Sequence, residues 1–134
     1  MISVEIRGKE FPLCLTVAAL DAINAKCGGI KNIGAFLDGI DEEGATSFSK
    51  SLCNTAWMLG LLIREGEENR LICARFDGEQ TERRAVPDSA AISHLLTIAS
   101  AGKYKTSVIE AVNESLTQEI EAAYPKNVKS AELE

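Results

Sequence analysis

Residues 51–70, SLCNTAWMLGLLIREGEENR, constrain this chain more than any other stretch. A mostly apolar run from Leu52 to Ile63, holding the only tryptophan, gives way at once to Arg64, Glu65, Gly66, Glu67, Glu68, Asn69 and Arg70. A bilayer core needs about twenty apolar residues in succession; this run is shorter, and Asn54 and Thr55 interrupt it, so it is not a transmembrane span. A helix lying on a membrane surface carries Lys and Arg along its polar face, whereas Glu65, Glu67 and Glu68 dominate the end of this one. Projected on a helix, Phe48, Leu52, Ala56, Leu59, Leu62 and Ile63 occupy one broad side, and Trp57 and Leu61 lie on another. A peripheral helix cannot bury so wide an apolar circumference on one face. Either the helix is central and covered on several sides, or its Trp57/Leu61 side, with Met58 beside it, meets another chain. Trp57, Leu61 and Met58 are therefore the candidate partner surface.

The first sixteen residues alternate. Ile2, Val4 and Ile6 are apolar at every second position, as are Phe11, Leu13 and Leu15, with Gly8-Lys9 between the runs. A two-residue turn at Gly8-Lys9 sets Ile6 opposite Phe11, Val4 opposite Leu13 and Ile2 opposite Leu15, with all six on one face. Pro12 has no amide hydrogen, so its strand should be an edge or have that bond position facing outward. A lone hairpin is marginal in water, and the rest of the chain reads as the helical cover it needs. Thr16 is an N-cap for a helix to about Lys26, stopped by Gly28-Gly29. Ile30, Ile33, Phe36 and Leu37 follow at helical spacing, and residues 38–46 read as a solvated loop.

The long apolar helix starts near Ser47 or Ser49. Beyond Gly66, Leu71, Ile72, Ala74 and Phe76 fit either a helix or alternation; helix is preferred, with Glu67 and Glu68 suiting an N-terminal turn. Pro87 suits the first turn of a helix ending near Gly102, with Ile92, Leu95, Leu96 and Ala99 as its face. Val108, Val112, Leu116 and Ile120 recur at i+4 in a last helix closed by Pro125. The expected fold is α+β and mostly helical: an N-terminal hairpin (1–16) packed on a bundle of about five to six helices (17–124). It forms a single domain, 1–124, followed by a polar C-terminal tail, 125–134.

Composition narrows function. A formal net charge of −6 opposes attraction to phosphate backbones and anionic membranes, so neither nucleic acid nor membrane is an expected partner. Cys14, Cys27, Cys53 and Cys73 form no Cys-x-x-Cys pair, and His94 is the single histidine, so no metal site is expected. Reduced, mostly buried thiols and an N-terminus without a basic, then apolar leader fit a cytoplasmic protein. His94 falls nearly opposite the Ile92/Leu95/Leu96/Ala99 stripe, with no nucleophile or orienting carboxylate spaced to meet it, and reads as a surface residue. AGKYKTS (101–107) lacks the glycine spacing and the Gly-Lys-Ser/Thr ending of a phosphate loop. Asp41, Glu42 and Glu43 lack the alternating ligands of a calcium loop. The expectation is a chain without catalytic residues or cofactor.

One resemblance adds to this reading. The hairpin VEIRGKEFPLCLT leads into VAALDAINAKCGGIKNI; a loop and LCNTAWMLGLLIREGEENR follow, then a helical C-terminal half mixed in charge. In order and texture, over roughly residues 1–100, the chain resembles the small tail assembly chaperones of tailed bacteriophages and prophages of Gram-positive hosts. The resemblance implies a non-enzymatic role: binding and shielding the hydrophobic, helical tape measure protein until the tail tube polymerises around it. It implies the tape measure protein, and the tail tube protein, as partners, and a longer frameshifted product is common in such families. It assigns no functional residue. The alternative is a small cytosolic helical regulatory or structural protein acting as a homo-oligomer.

Overall fold

The computed structural model describes residues 1–123, and their side chains through Thr117. A two-stranded antiparallel hairpin, β1 (Ser3–Ile6) and β2 (Lys9–Pro12), is followed by five helices: α1 (Val17–Cys27), α2 (Ile33–Leu37), α3 (Phe48–Phe76), α4 (Ser89–Leu95) and α5 (Ile98–Ala123). A 3-10 turn over Ile30–Asn32 leads into α2. The fold is α+β and mostly helical, as the residue pattern predicts. The tail 125–134, its closure by Pro125 and the Ile120 side chain lie outside the described residues.

The hairpin keeps the expected apolar face but shifts its register by two residues. Val4 pairs with Phe11 and Ile6 with Lys9, and the Leu13 amide donates to the Ile2 carbonyl at 2.9 Å. The turn is Arg7-Gly8, not Gly8-Lys9, with positive φ at both residues (52° and 80°). That is the type I′ geometry, whose twist matches the strands and whose second position suits glycine. A two-residue shift leaves every side chain on its original face, so Val4, Ile6, Phe11 and Leu13 are all buried.

The outer edges of both strands are covered. Backbone groups point alternately toward and away from the partner strand, and on β2 the outward ones meet α3. The Pro12 carbonyl sits against Gly66, and the Cys14 amide donates to the Leu62 carbonyl at 3.2 Å. Proline loses nothing there, because its missing hydrogen belongs on that outward edge. On β1 the Glu5 carbonyl accepts the Tyr104 hydroxyl of α5 at 2.8 Å. Helices thus close both edges against further strand pairing.

α1 has the expected ends. Thr16 accepts the Ala19 amide at its N-terminus, and Gly28 ends it at φ 87°. Ala19 and Ile23 face the core, while Val17 is 83% exposed. In the loop between α2 and α3 Asp41 accepts the amides of Glu43 and Ala45, both at 2.9 Å, so this carboxylate shapes the turn.

α3 is the axis of the molecule, about 43 Å long at 1.5 Å per residue. It is capped by Ser47 and runs unbroken through Gly66, so no new helix begins at Glu67. From Thr55 to Glu67 every residue is buried except half-buried Trp57 and exposed Arg64. The hairpin, α2, α4 and α5 surround it, and Met58, Leu59, Leu62 and Ile63 are fully buried among them. Each such side chain contributes about 1.5–3 kcal/mol of transfer free energy. Two glycines permit close approach: a Cβ on Gly60 would overlap Ser89 at the start of α4, and one on Gly66 would overlap Pro12.

The last two helices break earlier than expected. α4 ends at Leu95 and α5 begins at Ile98, so the break falls at Leu96-Thr97 and not at Gly102. Thr97 and Ser100 cap α5 reciprocally: the Thr97 amide donates to Ser100 Oγ at 3.0 Å and the Ser100 amide to Thr97 Oγ1 at 3.2 Å. Serine takes the role that Glu or Gln has in the usual capping box. Pro87 lies before the N-cap Asp88 instead of inside α4. Of the expected face, Ile92 is buried and Leu96 half-buried, while Leu95 and Ala99 are exposed.

Candidate binding cleft beside Trp57

Trp57, Gly60, Leu61 and Arg64 stand at i, i+3, i+4 and i+7, which is one face of a helix. They form the floor of a cleft of about 470 Å³, walled by Ala22 of α1 on one side and Val86 to Ala90 on the other. Elsewhere the middle of α3 is covered; along this stripe Trp57 and Arg64 reach the surface, with buried Gly60 and Leu61 between them. Glycine at position 60 lowers the floor and lets Ser89 approach, where the Ser89 hydroxyl donates to the Trp57 carbonyl at 2.9 Å.

The Trp57 ring meets Phe36 edge to face, with centroids 5.7 Å apart and planes at 80°. The Lys26 ammonium lies 5.5 Å from its centroid, within cation–π range. The three candidate partner residues therefore have different positions. Trp57 is half-buried at the cleft, Leu61 is buried with its edge in the cleft floor, and Met58 is fully buried in the core. The α3 geometry separates them: Met58 lies one residue, or about 100°, around from Trp57 and points inward.

The wall opposite α1 is held by a buried carboxylate. Glu67 is 2% exposed and accepts Arg70 Nε at 2.9 Å, Arg70 Nη2 at 2.7 Å, the Arg84 amide at 2.6 Å and Arg84 Nε at 3.0 Å. Arg70 also donates to Thr81 Oγ1 and to the Glu82 carbonyl, both at 2.7 Å. Arg83 pairs with Glu68, and the Arg84 guanidinium lies 6.0 Å from the Phe11 ring centroid. The irregular strap between α3 and α4 is thus pinned to the helix by Glu67 and Arg70. Hydrogen bonds from Arg70, then from Arg84, outweigh the desolvation cost and hold the Glu67 carboxyl down at about 2. Sequence reasoning placed Glu67 in a helix N-terminal turn and missed this role. The available signal was Arg70 at i+3 from Glu67, one helix turn on.

Glu65 is the second buried acid of the run. It accepts the Thr16 hydroxyl, so one threonine both caps α1 and ties it to α3. All four cysteines are free, but they are less buried than expected: Cys53 and Cys73 are exposed, Cys14 and Cys27 half-buried. Burial first, then the Glu65 carboxylate, pushes the Cys14 thiol up. His94 is exposed on α4, away from the Ile92 contact. Among the described residues no three His, Cys, Asp or Glu side chains are gathered to hold a metal, and no helix is long and apolar enough to cross a membrane.

A wider depression of about 1040 Å³, lined in part by Lys26, lies between the end of α1, α2 and the 39–43 loop. Its lining includes Asn24, Asn32, Asn54, Lys50 and the acids Asp41 to Glu43, so it is polar where the Trp57 cleft is apolar. Compared with protein families, curated proteins and solved structures, the chain finds no match in any of the three.

Proposed function

We propose that this chain is a non-enzymatic tail assembly chaperone. It binds the hydrophobic, helical tape measure protein in the cytoplasm of a bacterial host and shields it while the tail tube, a further partner, is built. The resemblance in the order of hairpin, first helix and apolar central helix supports the family. The observation that carries the binding role is the apolar cleft whose floor is the stripe Trp57–Gly60–Leu61–Arg64, in the otherwise covered middle of α3. Helix-in-groove recognition uses i, i+3, i+4 and i+7 anchors, and this stripe supplies that spacing on the receiving side. Tryptophan at such a site is a frequent source of binding energy.

The test is co-expression with a tape measure segment. A soluble complex that co-purifies supports the role; a segment that stays insoluble and unbound refutes it. A second reading, a helical protein acting as a homo-oligomer, is favoured by Ile72 and Phe76, one turn apart and 49% and 88% exposed at the end of α3. Light scattering that finds only monomer at high concentration removes that reading and leaves the first intact.

A further inference from the structure

Given a helical client, the rim of the cleft specifies its chemistry. Between Thr55 and Glu67, Arg64 is the only exposed residue of α3, and it stands two turns from Trp57. Two turns of helix span about 10.5 Å. Lys26 stands at the Trp57 end, its ammonium over the ring and its stem at the end of α1. The apolar stripe is therefore bracketed by a cation at each end, on a chain of net charge −6.

The neighbouring acids leave both cations with free hydrogen-bond donors. Lys26 makes no ion pair among the described residues, although it lines the neighbouring depression together with Asp41, Glu42 and Glu43. Arg64 reaches Glu65 at 3.4 Å, yet its side chain is 59% exposed, leaving guanidinium donors free for a second carboxylate. On the opposite wall, Asp88 lines the cleft and keeps its charge, which the N-terminus of α4 offsets in part as the carboxylate accepts the Ala91 amide at 2.8 Å.

We infer that the cleft takes an amphipathic helix whose apolar anchors are bracketed by carboxylates about two turns apart. This rests on the client-binding role proposed above and adds a charge code to it. A cleft of about 470 Å³ admits apolar side chains while the client backbone stays above the rim. The anchors give affinity by leaving water; Lys26 and Arg64 set register and on-rate, and they reject a basic helix. The acidic remainder of the surface repels the same client elsewhere, which favours this one location.

Two synthetic helical peptides with identical leucine anchors, one with glutamates and one with lysines at the bracketing positions, test the inference. Trp57 is the only tryptophan, so its emission reports the cleft directly. The glutamate peptide should bind at least about fivefold more tightly at low salt, the advantage of two exposed ion pairs, and lose that advantage at high salt. The double variant Lys26→Glu/Arg64→Glu should reverse the preference, and Lys26→Gln/Arg64→Gln should abolish it in a chain that still unfolds cooperatively. Equal binding of both peptides by the wild type, or a preference that survives the Gln variant, overturns the inference. So does an emission change on dilution of the chain alone, because a second copy would then fill the cleft. Failure of the client role reads out separately: a Gln variant that still co-purifies with a tape measure segment leaves that role standing, whereas a wild type that never does removes it.

Discussion

Replacing Glu67 by Gln removes the charge that pins the strap to α3 while keeping the side chain's size. The carboxyl is held near 2 against an ordinary 4.5, and each unit is worth about 1.4 kcal/mol, so the ionised form contributes roughly 3 kcal/mol to folding. Its partners reach solvent, with Arg84 43% and Arg70 29% exposed, and screening reduces the figure to about 2–3 kcal/mol. The amide also turns a donor toward Arg84 and Arg70, where only acceptors are useful. Because the folded-state value is depressed, the contribution is complete above 4.5 and drains away as pH falls toward 2. Urea unfolding of wild type and Glu67→Gln at pH 7, 4.5 and 3, followed by Trp57 emission, measures the difference directly. The gap should be about 2–3 kcal/mol at pH 7 and roughly half that or less at pH 3. Taking the difference removes the other acid-sensitive pairs, Lys105–Asp38 and Arg83–Glu68, which both proteins share. A gap below about 0.5 kcal/mol at pH 7, the level of an ordinary surface substitution, or one that is constant with pH, refutes the clasp.

The glycines of the two long helices should respond in opposite directions. Gly66→Ala brings a Cβ into the Pro12 carbonyl, with the carbonyl carbon at 2.8 Å, and should cost about 1–3 kcal/mol despite the better helix former. Gly102→Ala meets nothing within 4 Å on α5 and should gain about 0.5–1 kcal/mol; thermal melts of the pair decide both signs. Thr16→Val removes both the cap of α1 and the donor to Glu65, and chemical denaturation should read a loss of about 1–3 kcal/mol, with no loss refuting the tie.

Where local chemistry decides an element, the sequence was sufficient. Thr16 and Gly28 set the ends of α1, and Ser47 starts α3, because the capping groups lie within three residues of the amides or carbonyls they serve. The hairpin's face was legible and its register was not: alternation has period two, so turns at Arg7-Gly8 and Gly8-Lys9 bury the same side chains. Gly66 and Gly102 read as breaks, yet both helices pass through them. Gly66 is there because Pro12 crosses it, a contact made by residues more than fifty positions away. At Gly102 the packing of Ala101, Val108 and Val112 outweighs the roughly 1 kcal/mol that glycine costs inside a helix. The candidate site was legible in part. Trp57 and Leu61 fall on one stripe by periodicity alone, while the wall made by residues 86–90 depends on Glu67, whose burial only the fold creates.

The central claim is that a helical client lies along Trp57, Gly60, Leu61 and Arg64. Hydrogen–deuterium exchange of the full chain, with and without a co-expressed tape measure segment, tests it most directly. The account predicts added protection at residues 22–26, 57–64 and 86–90, with the overhang at Ile72 and Phe76 unchanged. Protection centred on that overhang, or a complex in which 57–64 exchanges as it does in the free chain, contradicts it.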